Sequence, residues 1–283
     1  MSWKYPQKYD VIVIGGGHAG CEAANASTKM GMKTLLLTMN ISTIGQMSCN
    51  PSVGGIGKGH IVREIDALGG MMGKVIEATG IQYRMLNTKK GPAVQAPRAQ
   101  ADKNAYKDDI RHRLEKMPNL DIKQATCEDL VVEDNEIRGI ITKEGITYSA
   151  QTVIITSGTF MRGLIHMGDI NYQGGRAGDA PSVGLSKSLE NLNITLGRLK
   201  TGTPVRIHKR SIDFSLTEEQ PGEDGVRFSF DPHEGKHLAK LSCHITYTTL
   251  ETKEIIKKNL HRSPLYSGKI VGIGPRYCPS IED

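Results

Sequence analysis

Residues 10–38 read DVIVIGGGHAGCEAANASTKMGMKTLLLT. Val11–Ile14 are four β-branched aliphatics stopped by glycine, the pattern of a short buried strand. The next segment places Ala, Cys and Met at helical spacing and runs to Gly31, a suitable residue just past a helix end. KTLLLT then supplies a second buried strand. Strand, glycine turn, helix and strand within about 30 residues predict a βαβ unit. Its turn carries Gly15-x-Gly17-x-x-Gly20, in the context that a dinucleotide-binding turn requires. Gly15 permits the tight turn, Gly17 lets a pyrophosphate approach the backbone, and Gly20 lets helix and strand lie close. The free N–H groups and positive dipole end of the helix then face the phosphates. One element of the motif is missing. The second strand should end on Asp or Glu for a ribose hydroxyl, but it ends Thr38-Met39-Asn40, with no acidic residue between Glu22 and Glu64. Asn40 is a substitute donor, and Lys29, Lys33, Lys58 and Arg63 suit a polyanionic ligand.

Outward from this unit, residues 41–60 form a glycine-rich loop containing Cys49 and the turn Ser48-Cys49-Asn50-Pro51. Helices are predicted over 60–70 and 101–117, with Lys89, Lys90 and Arg98 between them as either a solvated face or a phosphate contact. From Asp121 the periodicity changes to two. Turns at Asp134-Asn135 and Glu144-Gly145 then predict a β-meander ending in a buried strand, Val153–Thr156. A helix follows over 182–192 with Ser182 as its N-cap. Residues 197–214 form a loop presenting Arg198, Lys200, Arg206, Lys209 and Arg210, either solvated or contacting nucleic-acid phosphates. Residues 217–240 read as a polar, exposed excursion, 243–250 as a strand and 251–263 as a helix.

Composition bounds the class. Of 283 residues, 38% are hydrophobic and 32 are glycine, which excludes whole-chain disorder. Aromatics at 5% argue against a stacking-dominated single-strand binder. The net charge of +6 favours anionic ligands or nucleic acid. Five cysteines without a CxxC pair argue against a disulfide scaffold or zinc ribbon and suit a reducing compartment. No run approaches the ~20 apolar residues of a membrane span, and the nine histidines form no HExxH pattern, so no metal is assigned. The chain reads as cytoplasmic.

A meander returning to a strand that ends in Ser157-Gly158-Thr159-Phe160 resembles the layout of glutathione reductase-type flavoproteins, which makes FAD the expected ligand of the turn. Three stretches are more specific: GGGHAGCEAA at 15–24, IGQMSCNPSVGGIGKGH at 44–60 and GIGPRYCPSIED at 272–283, with GRLKTGTPVRI at 197–207 between them. Together they resemble the large, FAD-binding subunit family of the tRNA uridine 5-carboxymethylaminomethyl modification enzymes, also called glucose-inhibited division protein A.

The resemblance implies an α/β fold with a Rossmann-like parallel sheet, a β-meander and an inserted second domain, incomplete at its C-terminus. It implies an FAD domain over 1–198, with a basic insertion at about 85–120, and an inserted NAD-associated domain over 199–283. It also implies FAD, NADH and a methylenetetrahydrofolate carbon, with the wobble uridine of tRNA as substrate, a GTPase partner, and a homodimer within a heterotetramer. Residue by residue, the flavin turn falls on Gly15, Gly16, Gly17, His18, Ala19 and Gly20. Further contacts fall on Cys127, through its backbone, and on Ser182. The NAD-linked stretch begins at Gly274 and runs through Pro275, Arg276, Tyr277, Pro279, Ser280, Ile281, Glu282 and Asp283. The two functional cysteines fall on Cys49 and Cys278, with their division of labour open, while Cys21 and Cys243 read as structural. The family's chain is about twice as long, so a fragment or truncated product is expected. Two alternatives stand beside this reading: a folate- and FAD-dependent tRNA uridine C5-methyltransferase, and a noncatalytic FAD-binding module.

Overall fold

The computed structural model describes residues 3–231, 238–274 and 280–282. They group into two compact units, Met1–Gly158 with Pro221–Cys243, and Thr159–Gln220 with His244–Asp283. In chain order the first contains β1 (Trp3–Ile14), α1 (His18–Lys29), β2 (Thr34–Thr38), β3 (Ser52–Gly54), α2 (Lys58–Ala67), α3 (Met72–Thr79), β4 (Gly80–Leu86), β5 (Ala96–Ala101), α4 (Lys103–Glu115), β6 (Leu120–Gln124), β7 (Cys127–Glu133), β8 (Glu136–Thr142) and β9 (Ile146–Ile155).

The expected βαβ unit is present. β1 and β2 run parallel, with Val11–Ile14 opposite Thr34–Leu37. Val11 and Val13 join the core with α1, while Ile12 and Ile14 are buried on the other face. A strand covered on both faces has no polar alternation, which is why the run reads VIVI. The main sheet has the order β6-β2-β1-β9-β8-β7. β6, β2, β1 and β9 are parallel neighbours, and β7–β8–β9 form the antiparallel meander. Asp134 and Asn135 both take positive φ, 52° and 63°, so they make the two-residue hairpin turn that their sequence predicts.

Several expectations are corrected. β6 belongs to the parallel part of the sheet rather than the meander, because it pairs with β2. The end of β9 is half-buried rather than buried. α3, β4 and β5 lie where the sequence reading had no elements, and β3, β5 and β4 form a separate antiparallel sheet. α3 has no side-chain cap of its own. Instead, the Glu22 carboxylate of α1 accepts from Met71 N at 3.0 Å and Met72 N at 2.6 Å, a tertiary cap that no local pattern reveals.

The largest correction concerns the polar segment 217–240. Its residues 221–231 pack onto the first unit and bury Phe228 completely. Glu223 N donates to Tyr83 O at 2.7 Å on β4, and Arg84 pairs with Glu223 at 2.9 Å. The backbone amides around Phe228 donate to the buried carboxylates of Asp66 and Glu77. Those acceptors make burial of a polar segment possible, since unpaired amides would oppose it.

The second unit contains β10 (Leu164–Met167), β11 (Ile170–Gln173), α5 (Gly184–Asn191), β12 (Glu218–Gln220), most of β13 (Cys243–Ile245) and α6 (Leu250–Asn259). α5 starts from Val183 without a side-chain cap, so Ser182 is not its N-cap. Ser182 N donates to Phe160 O and its carbonyl accepts from Arg162 N, both at 2.8 Å. The predicted strand 243–250 shrinks to β13, because Thr249 instead caps α6 through a capping box with Thr252. Residues 193–208 carry no helix or strand. Among the described residues no helix is long and apolar enough to cross a membrane, and no group of three His, Cys, Asp or Glu is placed to hold a metal.

Candidate cofactor site

The turn between β1 and α1 is locked by the strand ends. Gly15 N donates to Leu37 O at 2.8 Å, and Thr156 N donates to Ile14 O at 2.9 Å. The Thr156 hydroxyl donates to Ile14 O at 2.8 Å and Gly15 O at 3.0 Å. Gly15 has φ +105°, and a Cβ on it would stand 2.5 Å from Thr156 O. A Cβ on Gly20 would meet Gly15 O at 1.8 Å, so helix and strand touch through a missing side chain. Gly17 is the opposite case: nothing lies within 4 Å of its Cβ position. Two glycines are excluded by protein atoms, and the third opens onto free space where a ligand's phosphates would lie.

Gly17 is also the N-cap of α1, with no side-chain cap and no acidic residue in the first turn. The starting N–H groups of α1 therefore keep their positive end for an anion. His18 follows, its ring 5.7 Å from that of Tyr106. His18 Nε2 is buried with no hydrogen-bond partner, and burial lowers the pKa of the ring, which favours neutral imidazole. An uncapped helix start and an open Gly17 are features that a bound dinucleotide would satisfy.

Cys49 is half-buried on a segment tied to this turn: Gly45 N donates to Gly16 O at 2.8 Å. Cys49 is four positions past Gly45, so its Cα lies within about 14 Å of the tie. Strand order alone would place Cys127, on β7, at the far edge of the sheet. However, Ala125 N donates to Thr38 O at 2.9 Å. Cys127 thus lies two residues from the carboxyl end of β2, where the motif's absent acid would stand. Asn40 is occupied locally, its side chain accepting from Ser42 N at 2.9 Å.

Burial pushes the thiols of Cys21 and Cys127 up to about 12, which makes them poor nucleophiles. The Cys243 thiol donates to Gln82 Oε1 at 3.1 Å. Ser182, Gly274, Ser280, Ile281 and Glu282 belong to the second unit. Ser182 is buried, Gly274 is exposed, and Glu282 accepts from Ser263 at 3.0 Å. Cys278, Pro275, Arg276, Tyr277, Pro279 and Asp283 lie outside the described residues. Thr156 is the site residue the sequence reading missed. Its signal was position, since it directly follows β9, the strand that pairs with β1 at the turn.

A model of the family described as Glucose inhibited division protein A matches residues 10–283. The chain is 69% identical over 283 residues to the tRNA uridine 5-carboxymethylaminomethyl modification enzyme MnmG of Protochlamydia amoebophila (strain UWE25), covering 100% of this chain and 45% of that protein. It is 60% identical over 280 residues to the protein of the same name from Geobacter sulfurreducens, covering 99% and 44%. The crystal structure of Aquifex aeolicus GidA (form I) superposes with a TM-score of 0.90 at 53% identity, over 98% of this chain and 47% of that one. The chain thus spans a little under half the length of these relatives. With the match running almost from end to end, the chain belongs to the glucose-inhibited division protein A family.

Proposed function

We propose that this chain supplies the FAD-binding part of a flavin-dependent tRNA-modifying enzyme. The enzyme adds a carboxymethylaminomethyl or aminomethyl group at C5 of the wobble uridine of tRNA. The observation that carries the reading is the Gly15–Gly20 turn, where Gly17 opens onto free space before an uncapped helix. The high identity to relatives named for that modification supports the substrate. FAD held at this turn would supply redox and one-carbon transfer chemistry, with NADH as reductant and methylenetetrahydrofolate as carbon source.

The protein's own part begins with binding. The amides at the start of α1 hold the pyrophosphate, and the backbone near Cys127 lies toward the adenosine side. A domain over 1–198 serves FAD, with Ser182 as a further contact. A domain over 199–283 serves NADH, through the stretch from Gly274 to Asp283. The uridine C5 is a poor nucleophile. A cysteine thiolate adding at C6 makes C5 electron-rich enough to attack the one-carbon unit, and expulsion of the thiolate with loss of the C5 proton restores the ring. Cys49 and Cys278 share the nucleophilic and proton-handling roles. The wider assembly is a cytoplasmic homodimer joined by a GTPase subunit into a heterotetramer.

Cys49→Ser, in a chain extended to the full length of its relatives, tests this reading. With tRNA and all co-substrates, product formation should fall about a hundredfold or more, as expected for removal of a covalent nucleophile or its proton partner, while the flavin spectrum is retained. Undiminished product would remove Cys49 from the chemistry.

A further inference from the structure

The ring of the buried Phe228 lies against Gly54. A Cβ added to Gly54 would stand 2.7 Å from the Phe228 ring and 2.3 Å from Pro97 O, and Gly54 has φ +85°. The ring and the Pro97 carbonyl therefore fix the end of β3 between them. β3 is in register with β5, Val53 opposite Ala99 and Gly54 opposite Arg98. Five residues upstream stands Cys49, in a turn where Ser52 N donates to Asn50 O at 2.8 Å. The segment bearing the thiol is thus held at Gly45 on the cofactor turn, at Pro51, whose carbonyl accepts from Ala101 N at 2.7 Å, and at Gly54 under the phenyl ring.

The ring's own position is specified by two carboxylates from different helices. Phe228 N donates to Glu77 Oε1 at 2.6 Å, and Phe230 N donates to Asp66 Oδ2 at 2.7 Å. Ser229 Oγ donates to Asp66 Oδ1 at 2.9 Å. Asp66 and Glu77 are 5% and 4% exposed. Buried carboxylates are tolerated where donors converge on them. The acceptors that let this segment be buried also hold the backbone on both sides of the ring, and with it the ring, in one place.

We propose that Phe228, seated by Asp66 and Glu77, is a positioning residue for the Cys49 turn. The consequence for catalysis rests on the reading of Cys49 above, but the positioning itself is read from the thiol. The test is alkylation of each cysteine in the 283-residue protein by iodoacetamide, followed by peptide mass spectrometry. Cys21 and Cys127, buried in the same unit, report general opening. In Phe228→Leu the Cys49 rate should rise about fivefold or more, the scale of losing one specific buried contact, with Cys21 and Cys127 unchanged. Ser229→Ala, which removes the hydroxyl that donates to Asp66 and accepts from Asp231 N but keeps the ring, should shift Cys49 in the same direction should Phe228→Leu fail to fold. An unchanged Cys49 rate in both variants overturns the proposal, and so do three thiols rising together. A Cys49→Ser enzyme that retains product would refute the catalytic reading while leaving the alkylation result intact.

Discussion

Gly17 and Gly20 belong to one motif but have different reasons for being glycine. Gly20 is excluded by protein, because its Cβ would overlap the Gly15 carbonyl. Gly17 has φ −75° and ψ −175° with open space beside it, so the fold tolerates a side chain there and only a ligand would not. Spacing makes both positions legible in sequence but cannot separate the two reasons. The cysteines divide in a similar way. Cys21 was readable as structural from its place in the helix. Cys127 was assigned through resemblance, and burial withdraws its thiol from solvent.

The thiols also predict a pH dependence. Cys21 and Cys127 are raised from 9.0 to about 12 by burial. Below pH 9 both thiols are protonated in the folded and unfolded states. Above it the unfolded thiols ionise and the folded ones stay neutral, so the unfolded state binds fewer protons and stability falls with rising pH. The expected slope is about 1.4 kcal/mol per pH unit for each thiol. Tyr9, Tyr83 and Tyr106 are also raised by burial and steepen the fall at higher pH. Urea unfolding between pH 9 and about 11 measures it, and a flat profile would contradict the burial of these groups.

At the scale of elements, the βαβ unit, the meander hairpins and α4 follow from local pattern. Aliphatic runs, turn dipeptides and helical periodicity are local signals. α3, β4, β5 and the packed segment 221–231 were not legible, because tertiary partners stabilise them. The N-terminus of α3 is capped by Glu22 from α1, and the amides of 228–230 find Asp66 and Glu77. In sequence, those carboxylates look like ordinary helix-surface charges. Glu22→Ala should therefore destabilise the first unit by about 1–2 kcal/mol, the cost of losing a helix cap on partly buried amides. Denaturant titration reads the change, and a loss within a few tenths of a kcal/mol would show that the α3 cap is dispensable.

For the whole molecule, the family was legible from three motif stretches, and the match over residues 10–283 bears it out. The parallel-sheet fold agrees with the Aquifex structure. The net charge of +6 is consistent with an anionic ligand; of the cations of 198–210, Arg198, Lys200 and Arg206 lie in irregular backbone and Lys209 and Arg210 in a single 3-10 turn. The proposed function depends on FAD lying at the Gly15–Gly20 turn. The most direct test is the visible flavin absorbance of the purified protein after incubation with FAD, compared between wild type and Gly17→Val. The variant should fold normally, since nothing surrounds that Cβ position, and lose the flavin band that the wild type shows. An equal flavin-to-protein ratio in both, or no band in either, would contradict the assignment.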